Sequence, residues 1–415
     1  MWRYYAQRAT SGEWLHRDLP LSDVSVSPAL SGPYKITATI DPEYTDLLAD
    51  DGDLLLAEWG TWIFAEASNQ LRGGGLVTDA KIVGSNLALT IDGFTRYPGG
   101  QPLTETLTWG GKTEGATGNG VDPLDVVRAL WDHLQAQPDG DLGVTYASTS
   151  TPYRVGEWYN ARALDADGSL GDDPKAVHST PIPIDKIWNP KKDRPPIPAS
   201  GKSTYWKYQL AWWDGLEVGR TIDELARQAA FDYRETYRWA DTTKEAVVRE
   251  LQFGYPRLGR RQTGLVFREG ENIDDLVPIT RSGHDYYNSV YGLGAGEGSK
   301  KLRQSVSRRD PTRLRRAKPI DRAEITNAAA LKAEAGDELR RSVELVDIAG
   351  FTIRDHPNAR VGSFDVGDDV LVHTRRGWQP TSLWVRITGF THSPDTGDVT
   401  VRCSRSDRFV YGGTG

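Results

Sequence analysis

His16, His133, His178, His284, His356, His373 and His392 are the residues most able to do chemistry, and their spacing speaks against it. No two stand at His-x-x-x-His and no acidic cluster accompanies them, so the pattern of a metalloprotease or a structural zinc site is missing. No Gly-x-Ser-x-Gly elbow is present for a serine hydrolase. The single cysteine, Cys403, allows no intramolecular disulfide and no cysteine-based zinc site. It falls on the apolar side of an alternating segment, which predicts a buried thiol rather than a nucleophile. Gly292, Gly294, Gly296 and Gly298 run into Lys300-Lys301, but the spacing fits neither phosphate-binding loop, and a glycine-rich turn explains it. Asp172/Asp173 and Asp368/Asp369 are adjacent acids, and Asp368-Asp369 reads as a turn before a strand. A glycosidase would need two carboxylates at a set separation, such as Glu157 with an acid from 165–173, and sequence alone does not place them. No catalytic, cofactor-binding or metal-ligating residue is assigned.

Charge gives a sharper feature. Ten basic residues (Lys300, Lys301, Arg303, Arg308, Arg309, Arg313, Arg315, Arg316, Lys318 and Arg322) lie between 300 and 322 with only Asp310 and Asp321. That stretch carries +8 within a chain of net charge −7, which leaves −15 on the remainder. A contact with an acidic protein neighbour is the favoured reading. A solvated linker and a nucleic-acid contact are the alternatives, the last without aromatic residues in the segment to stack on bases.

The elements that must carry these residues divide the 415-residue chain into several domains. Tyr34, Ile36, Ala38 and Ile40 alternate with Lys35, Thr37 and Thr39, and Leu87, Leu89 and Ile91 repeat the pattern before Gly93-Phe94. Near the other end Val385 and Ile387 alternate with Arg386 and Thr388 before Gly389-Phe390, followed by Val399, Val401 and Cys403. Period two puts one set of side chains in a core and the other in water. Turns are expected at Ser31-Gly32-Pro33, Asp50 to Asp53, Gly73-Gly74-Gly75 and Gly84-Ser85-Asn86. Asp122-Pro123 predicts a helix start, with Leu124, Val127, Trp131 and Leu134 on one face. A second helix is expected from Thr221, capped with Glu224, burying Ile222, Leu225, Ala226, Ala229, Tyr233 and Tyr237. A third is expected after Asp321, with Ile325, Ala328, Leu331, Ala335 and Leu339 buried. Residues 148–203, with Pro190 to Pro198, predict a long extended insertion.

The expected class is α+β: two similar all-β domains, 1–105 and 343–415, flanking a mixed α/β middle domain at 106–281. Residues 282–342 supply a connecting strand, the basic segment and a helix. No run reaches the length of a membrane span and the N-terminus has no apolar leader, so synthesis in the cytoplasm and no membrane insertion by this sequence are expected. Fourteen tryptophans and seventeen tyrosines suit strands, subunit contacts and, as an alternative, stacking platforms for glycans.

Gly264-Leu-Val-Phe-Arg-Glu-Gly-Glu-Asn-Ile-Asp-Asp-Leu276 is followed by Tyr287-Asn-Ser-Val-Tyr-Gly-Leu-Gly-Ala-Gly-Glu-Gly298. Val366-Gly-Asp-Asp-Val-Leu-Val372 and Trp384-Val-Arg-Ile-Thr-Gly-Phe390 come later. In this order the segments resemble the baseplate hub, or tail-associated minor tail protein, of siphophages, particularly those infecting actinobacteria. Residues 220–411 carry the resemblance; 1–105 fit it by position and pattern. It implies that the two similar domains, 1–105 and 343–415, are β-barrels in a homotrimeric virion protein at the tail tip whose six barrels match the sixfold distal tail protein or tube ring. It further implies the tape measure protein and other tail-tip or fibre proteins as partners, genomic DNA passing through the lumen, and neither cofactor nor catalysis. A distal adaptor or a receptor- or glycan-binding subunit is the alternative within the class, and a cell-wall hydrolase is a further one. Many relatives continue into a peptidase, lysozyme-like or fibre domain; this sequence ends at Gly415, from which no wall-degrading activity is expected.

Overall fold

A computed structural model describes residues 2–41, 48–49, 52–110, 121–155, 158–159, 204–205, 207–273, 276–281, 283–322, 325, 327–343, 346–354, 356–357, 360, 362–375 and 380–406. The chain forms two compact units. One is Met1–Arg260 with Gly389–Asp398; the other is Arg261–Thr388 with the strand that begins at Val399. Most of the expected insertion 148–203, with Glu157, the acids of 165–173 and Asp172/Asp173, lies outside the described residues.

The first unit begins with seven strands: β1 (Trp2–Arg8), β2 (Trp14–His16), β3 (Leu21–Ser27), β4 (Lys35–Ile40), β5 (Thr61–Ala67), β6 (Gln70–Val83) and β7 (Asn86–Asp92). They pair antiparallel in the order β3-β4-β7-β6-β5-β1-β2. Ile36, Ala38, Ile40, Leu89 and Ile91 are buried, as the alternation predicts. Water is not always on the other side, however. In β5, Ile63 and Ala65 enter a core shared with β1, β3, β4 and β7. Trp62 and Phe64, one residue out of phase, enter a second core on the opposite face. A strand covered on both faces reads as a continuous apolar run, as residues 62–65 do within β5.

The second core is closed by helices and later strands. These are β8 (Leu107–Gly110), α1 (Pro123–Gln135), β9 (Val144–Tyr146), β12 (Lys207–Leu210), α2 (Val218–Gln228), β13 (Asp232–Trp239) and β14 (Val247–Gly254); β10 (Trp158–Tyr159) and β11 (Thr204–Tyr205) pair with each other between β9 and β12 in chain order. Helix α1 starts where Asp122-Pro123 predicts: the Asp122 carboxylate accepts from the Leu124 N–H at 2.9 Å, and Leu124, Val127, Trp131 and Leu134 are all buried. Helix α2 starts a turn before the predicted Thr221 cap. The Thr221 hydroxyl donates instead to the Glu217 carbonyl one turn back, at 2.9 Å, so it lies inside the helix. Tyr233 and Tyr237, expected on that helix, belong to β13, where Tyr233, Glu235 and Tyr237 are buried at period two. Spacings of four fit both periods, which is why the stripe was ambiguous.

Gly73-Gly74-Gly75 is not a turn. The hairpin turns at Ser68-Asn69, both with positive φ, and the glycines lie inside β6. A Cβ on Gly74 would stand 2.6 Å from Phe64 and 2.9 Å from Tyr237, so the missing side chain lets β13 rest on the sheet.

The second unit holds β15 (Arg261–Arg268), β16 (Ile279–Arg281), β17 (Ser289–Leu293), β18 (Arg303–Ser307), β19 (Ala317–Asp321), α3 (Ala328–Val343), β20 (Val346–Ile348), β21 (Gly350–Ile353), β22 (Asp369–Thr374), most of β23 (Thr381–His392) and β24 (Val399–Arg405). Val385, Ile387, Val399 and Val401 are fully buried, as expected, but so is Arg386, whose Nε donates to the Gly367 carbonyl. The Gly-Phe pairs are not equivalent: Gly93-Phe94 leaves β7 for a short turn, whereas Gly389 lies inside β23. Both ends of the chain are therefore sheet with buried alternation in a mostly β molecule with three described α-helices, an α+β composition.

Candidate functional site

The basic segment is built into the fold. Residues 303–307 and 317–321 are β18 and β19, which flank β17 in the order β18-β17-β19, antiparallel on one side and parallel on the other. The linker alternative is thereby replaced by a small sheet. Helix α3 lies on one of its faces, with Val290, Ile320 and Ala335 buried between them. The helix begins at Ala328 rather than after Asp321; Asn327 caps it, its side-chain oxygen accepting from the Ala329 N–H at 2.8 Å. Leu331 and Ala335 occupy the buried stripe as expected. Two of the four glycines meet close neighbours here: a Cβ on Gly292, in β17, would stand 3.0 Å from Leu331, and one on Gly294, just after β17, 2.6 Å from the Ile325 carbonyl. The first lets α3 approach the strand.

Of the ten cations, four find carboxylates among the described residues of the unit. Lys301 pairs with Asp321 at 2.9 Å, Arg313 with Asp310 at 2.8 Å, Lys318 with Glu338 at 2.7 Å and Arg322 with Glu334 at 3.1 Å. Glu338 is the best held. Burial pushes its carboxyl up, but hydrogen bonds from Lys318 and Arg341 outweigh this and hold it at about 2. Among the described residues Arg315 and Arg316 make no ion pair; their guanidinium groups lie 5.5 Å from the Tyr291 ring centre and 5.1 Å from the Tyr287 ring centre. Arg315 also hydrogen-bonds the Tyr291 hydroxyl, and Arg316 the Gly283 carbonyl. The segment contains no aromatic residue, so sequence spacing did not reveal these stacks; the fold brings the tyrosines from β17 and the turn before it. Lys300, Arg303, Arg308 and Arg309 are exposed and make no ion pair among the described residues.

One buried side chain shapes the loop between β18 and β19. Asn288, 4% exposed, accepts from the Arg316 N–H at 2.8 Å and donates to the Leu314 carbonyl at 3.2 Å. Its own backbone carbonyl accepts from the Arg308 N–H at 2.9 Å. Asp310 closes a turn inside the loop by accepting from the Thr312 N–H and hydroxyl, which hold its carboxyl below the usual range. The result is a stapled loop whose tip bears Leu314, 88% exposed.

Elsewhere the groups with perturbed acidity serve structure. Desolvation raises the Glu235 carboxyl to about 7 against hydrogen bonds from Thr95 and the Tyr237 hydroxyl. That value suits a general acid, but the group is 2% exposed and its oxygens accept from Thr95 N–H at 2.6 Å and Tyr237 OH at 2.7 Å, tying the turn after β7 to β13. Burial likewise pushes the Cys403 thiol up to about 12, where it donates to the Ile348 carbonyl. Asp368 accepts from Gln262 and from the Asp365 N–H, as a turn residue does. A cavity of about 390 Å³ in the first unit, lined by Arg96, Trp131, Glu217, Arg220, Asp223 and Tyr233 among others, brings none of the sequence candidates together. Among the described residues no group of three His, Cys, Asp or Glu is placed to hold a metal, and no helix is long and apolar enough to cross a membrane.

In sequence the chain matches no family model and no curated protein. In structure it is similar to the 43 kDa tail protein of prophage MuSo2 from Shewanella oneidensis. The TM-score is 0.51 at 13% identity, over 98% of this chain and 100% of that one. It is also similar to prophage tail protein gp18 from Listeria monocytogenes, at TM-score 0.49 and 10% identity over 98% and 95%. A tail protein from Neisseria meningitidis gives TM-score 0.47 and 14% identity over 98% of each chain. These three neighbours in structure are tail proteins, two of them from prophages, and this chain shares its fold with the Shewanella one over almost its whole length.

Proposed function

We propose that this chain is a structural virion protein of a phage tail, placed at the tail tip as a homotrimeric hub without catalytic activity. The observation that carries the reading is the shared fold with a prophage tail protein across 98% of the chain. In the proposed arrangement the end domains 1–105 and 343–415 act as two similar barrels in each subunit. Three subunits then present six, matching the distal tail protein or tube ring, while 106–281 and 282–342 face the tip with the tape measure and fibre proteins. The lumen lies on the path of DNA ejection, which the hub gates. A closed ring requires contacts between different faces of neighbouring subunits. The test is solution mass with particle imaging: three times the mass of one chain in a threefold ring supports the hub, and a monomer at all concentrations sinks it.

One observation favours the alternative of a receptor- or glycan-binding tail subunit. Trp212 and Trp213, 56% and 60% exposed and edge-to-face at 5.7 Å, stand together on a short turn. Exposed aromatic pairs of this kind are where a partner gains most contact area. Retention of the protein on host cell-wall glycan, lost on Trp213→Ala, would support this second reading.

A further inference from the structure

We infer that the stapled loop 308–316 is a docking element that inserts Leu314 into an acid-rimmed apolar site on a second copy of this chain. The inference rests on the homotrimer reading and names one contact within it.

Three observations carry it. Leu314 is 88% exposed, more than any other large apolar side chain among the described residues, although the loop around it is ordered by the Asn288 staple and the Asp310 turn. A leucine held out in water by a preformed loop loses no backbone freedom on binding, so the apolar contact is not offset by ordering. Leu314 stands in sequence between Arg313 and Arg315-Arg316. The last two are held by the tyrosines of the sheet, Arg315 on the Tyr291 hydroxyl and Arg316 5.1 Å from the Tyr287 ring centre, and Arg308 and Arg309 of the same loop are exposed without an ion pair among the described residues. An aliphatic anchor flanked by arginines is the complement of an apolar depression rimmed by carboxylates. Finally, this chain has the required charge itself: the residues outside 300–322 carry −15.

Protein is a better complement than nucleic acid. The Tyr287 and Tyr291 rings, the nearest platforms for a base, already engage the Arg316 and Arg315 guanidinium groups, 5.1 Å and 5.5 Å from the ring centres. A phosphate backbone also has no use for a leucine at the centre of the contact. Because the loop and its acceptor are different surfaces, the contact is head-to-tail and can close a ring.

The test is sedentation-based measurement of self-association by the full chain, comparing wild type, Leu314→Met, Leu314→Asp and Arg315→Glu/Arg316→Glu. An 88% exposed side chain can be replaced without disturbing a core, so Leu314→Asp should keep the wild-type circular dichroism. Its dissociation constant should rise at least about tenfold, the loss expected of an interface anchor. Leu314→Met should stay near wild type. The double arginine variant should weaken association in low salt, and wild type should weaken as salt rises. Oligomers of unchanged stability in Leu314→Asp would overturn the docking inference and leave the hub reading intact. A wild-type chain that stays monomeric would overturn both. Binding of single-stranded DNA that is lost in the arginine variant, with self-association unaffected, would transfer the loop to nucleic acid and overturn the inference as well.

Discussion

Glu235 is the residue whose chemistry is most altered by the fold. Its ordinary value is 4.5; desolvation raises it to about 7 in the folded chain, despite the donors aimed at it. Between those values the folded state holds a proton that the unfolded state has released. Stability from this group is therefore complete below about pH 4.5 and is lost as pH rises through about 7. The loss amounts to about 3 kcal/mol. Glu235→Gln, which keeps the shape and removes the titration, should flatten the decline in denaturation midpoint between pH 5 and 8; an unchanged slope would assign it to other groups. Cys403 offers a second residue-scale expectation. Buried and raised to about 12, its thiol should react with an aromatic disulfide reagent only as fast as the protein opens. Rapid labelling of the native protein would show the strand pairing around it to be wrong. Both residues show how far sequence goes. Alternation put Cys403 on the buried face of its strand, whereas nothing in the residues around Glu235 announced a carboxyl at the centre of a core.

At the scale of elements, patterns that depend on neighbours in sequence were legible and those that depend on neighbours in space were not. Asp122-Pro123 marked the start of α1 because a cap is satisfied within four residues. Thr221 and Glu224 imitated the same signal, but the helix had already begun, and the hydroxyl turned back to the Glu217 carbonyl. The triple glycine of β6 was read as a turn because its cause, the aromatic rings of Phe64 and Tyr237, lies far along the chain. That cause makes a prediction. Gly74→Ala places a methyl group where 2.6 Å separates it from Phe64, so overpacking should cost about 1–3 kcal/mol. Chemical denaturation measures it, and a neutral result would mean that β13 can lift from the sheet without loss. The basic segment follows the same rule: its charge was plain, but its two strands and tyrosine stacks needed the partners supplied by β17.

For the molecule as a whole, both units are dominated by antiparallel sheet. Glu235, Glu338 and Cys403, whose acidity the fold shifts, are each tied to structural partners. The charge is uneven, +8 in residues 300–322 against −15 elsewhere, so copies that each carry −7 overall attract only where these opposite regions meet. Asn288 adds a consequence for variation. Its side chain holds the loop only through the backbone of Leu314 and Arg316. Thr312 and Arg313 also hold Asp310, and Arg315 holds Tyr291, so of these neighbours it is the exposed Leu314 side chain that the loop's path does not use. Recognition can be rewritten at that one position while the scaffold stays fixed, which makes it a natural place for a lineage to change its partner, or for an engineer to graft a new one.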